Sequence, residues 1–329
     1  MIVSTTPLRI SFFGGGSDIP EYYTQYGGVV MSTAIDKCVR IAAHFCEPKR
    51  IRVVYSRMET VDKVEDLRHD RVREVLKEFG VESNFEMCSF SDVSTRGTGL
   101  GSSSTFTVGL INAISELKLD TSSSPYDIAE MACKIEIEKC CEPIGKQDQY
   151  AAAFGGFNLY QFDRDGSVNV IRYSKFTSRS TLAALSDNLM CFSTNKTRNA
   201  STILKDQVSG LKSGSSVSGT HQLVQMVNDA ITYLKKEKLS DFGRLLDDAW
   251  QVKKSLASGI TDPDIDEMYE LGMKHGALGG KLLGAGGGGY MLFYVPMTHQ
   301  AELRLAMDKA GYNQFNFKIN SPGTRIASV

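Results

Sequence analysis

The segment Thr95-Arg96-Gly97-Thr98-Gly99-Leu100-Gly101-Ser102-Ser103-Ser104 holds the residues best suited to gripping an anion. Its three glycines let the backbone turn tightly and approach a ligand with no Cβ in the way. Phe106, Leu110, Ile114 and Leu117 then recur at helical spacing, so the loop sits at a helix N-terminus. Such an end offers outward N–H groups and the positive pole of a dipole. Ser102, Ser103 and Ser104 add hydroxyls that can donate to a phosphate oxygen or ligate Mg2+. No Gly-Lys-Ser/Thr follows, which excludes a Walker A loop. A second glycine run, 284–289, satisfies G-x-G-x-x-G in letters. It precedes a strand rather than a helix, however, and dinucleotide binding needs the opposite order.

Two charged residues stand out. Arg9, flanked by Leu8 and Ile10 in a strand-like run, must face solvent or pair with an anion such as a carboxylate or phosphate. Asp148 belongs to a polar cluster with Lys146, Gln147 and Gln149 between segments that read as buried, either as a solvated turn carboxylate or as a working one. The lack of G-x-S-x-G argues against a serine hydrolase, and five scattered histidines without H-E-x-x-H give no zinc signal. Asp262, Asp264 and Asp266 lack the glycine and terminal Glu of a calcium loop and read as charges opening a helix.

The elements that must position these residues follow from pattern. At 329 residues the length favours about two domains, and a net charge of −1 with no basic run argues against nucleic acid. Apolar stretches are strand-sized and the first residues lack a signal-peptide pattern, so the expectation is a soluble, cytoplasmic protein. Seven cysteines, an odd number without C-x-x-C, predict reduced and mostly buried thiols. Strands are expected from Ile2 to about Tyr55, with 40–45 and 51–55 paired around Pro48. Val72 to Phe79 predicts a helix, and 85–90 a strand leading into the glycine loop. Ser124-Pro125-Tyr126-Asp127 predicts a capped helix running to about Lys139. Residues 145–149 predict a helix turn and 155–160 a return to strand. Ser- and Gly-rich 208–220 predicts a mobile loop, with long helices at 221–234 and 239–256 and a glycine turn entering a strand across 281–295.

Three segments, 7–18 (Pro-Leu-Arg-Ile-Ser-Phe-Phe-Gly-Gly-Gly-Ser-Asp), 97–104 and 281–290, together resemble the three motifs of the GHMP kinases, in their order and at their distances. That superfamily takes in galactokinase, homoserine kinase, mevalonate kinase and phosphomevalonate kinase, and the resemblance covers nearly the whole chain. Within it, segment 7–18, segment 145–158 and the ending Pro322-Gly323-Thr324-Arg325-Ile326 are similar to the D-glycero-D-manno-heptose 7-phosphate kinases.

The resemblance implies an α+β GHMP kinase fold: a ribosomal protein S5 domain 2-like N-terminal, ATP-binding domain over 1–180 and a ferredoxin-like C-terminal domain over 181–329. It implies ATP-dependent phosphorylation of the anomeric C1 hydroxyl of D-glycero-D-manno-heptose 7-phosphate to the 1,7-bisphosphate, on the way to nucleotide-activated heptose for surface polysaccharide. ATP, Mg2+ and a sugar phosphate are the implied ligands, with no nucleic acid and no membrane; a homodimer is one assembly that the sequence leaves open.

The same resemblance assigns roles. Gly97, Thr98, Gly99, Leu100, Gly101, Ser102, Ser103 and Ser104 would wrap the ATP phosphates, with Ser103 and Glu136 holding Mg2+ and Glu138 the alternative to Glu136. Asp148 would be the base and Arg9 its neighbour. Gly15, Gly16 and Asp18 would meet the sugar, and Arg198 and Lys196 its phosphate. Ser94-Thr95-Arg96 stands where relatives usually carry a proline, which would pre-set the backbone. The rival readings are another GHMP sugar-1-kinase of fucokinase or galactokinase type, a homoserine or mevalonate kinase, and a ligand-sensing homologue without turnover. Asp18 and the 145–149 segment favour a sugar, and retention of Arg9, Ser103, Glu136 and Asp148 argues against a sensor.

Overall fold

The computed structural model describes residues 1–47, 49–93, 97–118, 123–197 and 200–328. Its first sheet contains β1 (Ile2–Phe13), β2 (Gly28–Phe45), β3 (Ile51–Val54), β4 (Met58–Val61), β5 (Phe85–Ser91), β6 (Phe157–Phe162) and β7 (Val168–Arg172). A second sheet holds β8 (Leu189–Ser193), β9 (Gly279–Leu282) and β10 (Tyr290–Tyr294), and β11 (Arg325–Ser328) returns to the first, beside β1.

The long β2 organises the first sheet. Its stretch from Met31 to Ala43 lies against β1, its start pairs with β6 and its second half with β5. β2 and β3 were expected to pair, but β5 lies between them, antiparallel to β2 and parallel to β3. Chain proximity loses here because inserting the apolar β5 buries Phe85 and Met87 on the core side. In the second sheet β10 is central and antiparallel to β8 and β9, while Gln314 bridges to Phe192 beyond β8. The order of that half is thus β-α-β-β-α-β, with its last strand reduced to a single bridge.

The helices are α1 (Pro20–Tyr26), α2 (Asp70–Glu78), α3 (Ser102–Leu117), α4 (Pro125–Cys133), α5 (Gln147–Phe154), α6 (Arg179–Asp187), α7 (Ala200–Ser213), α8 (Val217–Lys235), α9 (Leu239–Lys254), α10 (Pro263–Lys274) and α11 (Gln300–Lys309). α4 opens on the expected capping box of Ser124 and Asp127 and runs into a π-helical turn, Lys134–Lys139. Asp262 caps α10 by accepting from the Ile265 amide. α3 packs across β1 and β2, where Gly109 permits the approach: a Cβ there would lie 2.8 Å from the Thr6 hydroxyl.

The expected mobile loop at 208–220 is instead the end of α7, a turn at Gly214 (φ +82°) and the start of α8. Its glycines serve packing as well as turning. A Cβ on Gly219 would meet Leu256 at 2.6 Å, so the bare backbone lets α8 approach the chain just beyond α9. None of the seven cysteines forms a disulfide; three are buried, three half-buried and Cys141 is exposed. Among the described residues no helix is long and apolar enough to cross a membrane.

Candidate active site

Arg9 enters the site through an irregularity in its strand. Pro7 lies opposite Cys38 and Arg9 opposite Ala34, so the register slips between them, as it does where a proline interrupts a ladder. The Arg9 backbone amide then donates to the Leu100 carbonyl at 3.0 Å, tying β1 to the glycine loop. Its guanidinium is buried and donates from Nε to Asp148 Oδ1 at 2.6 Å and from Nη2 to Oδ2 at 2.7 Å. Nη1 donates to the Gly99 carbonyl at 2.6 Å. This fork-to-fork pair fixes the orientation of the carboxylate, which α5 presents from its first turn. Thus Arg9 faces a carboxylate, and Asp148 is no solvated turn residue.

The glycine loop curls in front of this pair. Gly97, Gly99 and Gly101 all adopt the left-handed region, at φ +64°, +74° and +73°, and Gly101 precedes α3 with no side-chain cap. A Cβ on Gly101 would stand 3.2 Å from Asp148 Oδ2, so the helix N-terminus and the carboxylate share one space. The 284–289 turn backs the loop directly. A Cβ on Gly99 would be 2.3 Å from the Leu283 carbonyl oxygen, and one on Gly284 would be 2.4 Å from Gly99 Cα. Glycine therefore packs on glycine, and the loop is held from behind by backbone.

Asp18 completes the acidic side. It is buried, accepts from the Gly16 amide at 3.1 Å and the Gln147 amide at 3.2 Å, and leaves no room for a Cβ on Gly145. Burial, and then the charge of Asp148, push its carboxyl up to about 6, against the pull of the amides. Ser11 Oγ, Gln147 Oε1 and Ser216 Oγ are buried with no hydrogen-bond partner, and all three residues line the cleft. Orphaned polar atoms around one cavity call for a ligand with hydroxyls. Leu204, Leu211 and Leu223 of α7 and α8 add apolar wall.

Residues 68–156 match the GHMP kinase N-terminal domain and residues 230–313 the GHMP kinase C-terminal domain. The chain is 31% identical to the D-glycero-alpha-D-manno-heptose 7-phosphate kinase of Campylobacter jejuni, across 98% of both chains. The chain belongs to the GHMP kinases. Its fold matches the crystal structure of a D-glycero-D-manno-heptose 1-phosphate kinase from Bacteroides thetaiotaomicron, with a TM-score of 0.81 at 24% identity, over 100% of this chain and 99% of that one. It also matches Lactococcus lactis galactokinase complexed with galactose, at TM-score 0.75 and 18% identity, over 100% and 95%.

In this GHMP kinase, Gly15, Gly16, Asp18, Gly97, Thr98, Gly99, Gly101 and Ser102 to Ser104 line the cleft with Arg9 and Asp148. Leu100 is buried behind it and acts through its carbonyl. Lys196 is absent from the wall and its ammonium is paired with Asp262 at 2.7 Å and Asp264 at 2.6 Å. Arg198 lies outside the described residues, as do Ser94, Thr95 and Arg96.

Glu136 is also held away from the cleft. It is fully buried and accepts from Arg71 Nε, Thr107 Oγ1, Ser104 Oγ and Gln149 Nε2, at 2.6 to 2.9 Å. Four donors occupy both of its oxygens, and Glu138 is exposed and off the cleft wall. Ser103 lines the cleft, and Glu136 lies behind that wall, reached through the Ser104 hydroxyl that donates to its carboxylate at 2.7 Å. Sequence reasoning passed over Ser11, Ser216, Lys253 and Lys281 on the cleft wall. Burial singles them out, and no spacing rule reports that.

Proposed function

We propose that the protein transfers the γ-phosphoryl group of ATP to the C1 hydroxyl of D-glycero-D-manno-heptose 7-phosphate, giving the 1,7-bisphosphate for nucleotide-activated heptose. The observation that carries this reading is the Asp148 carboxylate, oriented by Arg9 and lying against Gly101 where α3 begins. A base placed there can take the proton of a hydroxyl as it approaches a phosphoryl group held by the loop amides. Phosphoryl transfer needs little more from a protein than this alignment and stabilisation of spreading charge.

Asp18, Ser11 and Gln147 support a polyol as acceptor, because they offer acceptors and a donor where ring hydroxyls would lie. The Campylobacter relative supports heptose 7-phosphate in particular. In this reading Mg2+ arrives with ATP as part of the donor, and Ser103, exposed on the cleft wall, is the member of the expected metal pair that can meet it. We further propose that 1–180 and 181–329 act as two domains, with β11 crossing back to the first, in a cytoplasmic enzyme supplied with ATP.

The test is ADP release over a panel of heptose and hexose phosphates, with the phosphorylated carbon of each product located by NMR. Turnover confined to heptose 7-phosphate with phosphate gained at C1 is the expected result. Preference for an unphosphorylated sugar would overturn the substrate assignment.

A further inference from the structure

Lys253, on the last turn of α9, and Lys281, in β9, are buried lysines on the wall of the cleft. Lys253 Nζ donates to the carbonyls of Leu282 at 2.8 Å and Gly284 at 2.6 Å, and Lys281 Nζ donates to that of Phe12 at 2.5 Å. Among the described residues neither has a carboxylate partner. The charges that act on them are themselves cationic, Lys281 and Arg9 on Lys253 and Arg9 on Lys281, and the charge of Arg9 is met by Asp148. A buried ammonium with only carbonyls around it is costly, and Leu or Met would fill such a place without that cost. Each ammonium has three donors, and the protein uses two on Lys253 and one on Lys281.

We propose that Lys253 and Lys281 form an anion subsite that receives a phosphoryl group of a phosphorylated ligand, from either ATP or the sugar phosphate. The choice of these ligands rests on the kinase reading; the deficit of negative charge does not. The position suits either source. Lys253 holds the carbonyl of Gly284, which packs on Gly99 of the loop, and Lys281 reaches β1 at Phe12, beside Ser11 of the acceptor wall.

A linked proton makes the subsite measurable. Burial and Arg9 bring the Lys281 ammonium down to about 7, and burial, Lys281 and Arg9 bring Lys253 well below the ordinary lysine value. Lys281 therefore carries a neutral amine at pH 8 in the free protein, and a phosphate dianion placed against it would restore the charge. Binding of the right ligand takes up protons.

Isothermal titration calorimetry at pH 8, in two buffers of different ionisation enthalpy, should detect that uptake with ATP, pyrophosphate or heptose 7-phosphate, and not with adenosine or free heptose. Uptake with ATP and pyrophosphate assigns the subsite to the donor, and uptake with heptose 7-phosphate alone assigns it to the acceptor. No uptake with any of them overturns the proposal, and this arm needs no variant. Lys253→Met and Lys281→Met should each weaken the responsive phosphorylated ligand by about tenfold or more and leave its unphosphorylated counterpart unchanged. Equal losses for both would show a packing role only. ADP release, measured separately, reports on the kinase reading whatever the calorimetry gives.

Discussion

Replacing Lys281 by Met should stabilise the ligand-free protein near pH 8 and destabilise it near pH 10.5. The native ammonium titrates at about 7 against an ordinary 10.5. Below pH 7 both states carry the charge, and the native state bears the full cost of burying it. As pH rises from 7 to 10.5 the native amine is already neutral while the unfolded chain still holds its proton, so the cost shrinks and then vanishes. At pH 8 about 2.5 pH units of it remain, or ~3 kcal/mol. Met keeps the volume but gives up the bond to the Phe12 carbonyl, which sits at a register slip between Ser11 and Phe13, and a buried unpaired carbonyl costs about 1–3 kcal/mol. The variant should therefore be more stable by ~1–2 kcal/mol at pH 8 and less stable by a similar amount at pH 10.5, a change of sign worth a few degrees in Tm. Thermal unfolding of both proteins at four pH values from 7.5 to 10.5 measures the difference directly. A difference that stays constant across the range would refute the reasoning, because it would mean that Lys281 titrates alike in the native and unfolded states.

Asp148→Asn keeps the shape of the base and removes its basicity, so kcat should fall by about 10²–10⁴ with KM little altered; steady-state turnover near wild type would remove Asp148 from the base role. Asp18 is ionised above about pH 6 and protonated below it. KM for the acceptor should accordingly rise as pH drops through 6, and Asp18→Asn should flatten that limb of the profile. Glu136→Gln leaves the half-buried Arg71 guanidinium with Glu142 as its remaining counter-charge and takes a charged acceptor from Thr107, Ser104 and Gln149, and should cost about 2 kcal/mol of stability by denaturant unfolding. If the variant proved as stable as wild type and instead required more Mg2+, Glu136 would be a metal ligand after all.

The chemistry was most legible where it depends on short spacing. Gly97 to Ser104 before a helical repeat, and a lone arginine in an apolar strand, both point to an anion, and all of these residues but Leu100 line the cleft. What sequence could not carry was burial and the choice between neighbours. Lys253, followed by Lys254 at a helix C-terminus, reads as ordinary dipole compensation, yet only its position against β9 makes it a buried cleft residue. Glu136 stands out in sequence by its distance from Asp148, and the contacts that bury it come from Ser104, Thr107 and Arg71, the last 65 residues earlier, which no local pattern reports. The strand pair expected around Pro48 failed because β5 competes for the same edge, and the loop expected at 208–220 failed because its glycines serve contacts with Ser216 and Leu256. In each case a tertiary contact overrode a local preference.

The meeting of Gly99 with Gly284 makes two segments separated by 184 residues into one mechanical part. Neither side has a side chain that could rotate to absorb a misfit, so the contact has no compliance. A designer who grafts a relative's donor loop onto this scaffold must bring the matching C-terminal turn along with it. Exchanging either alone would shift the Leu283 and Gly284 carbonyls, and with them one of the two anchors of Lys253.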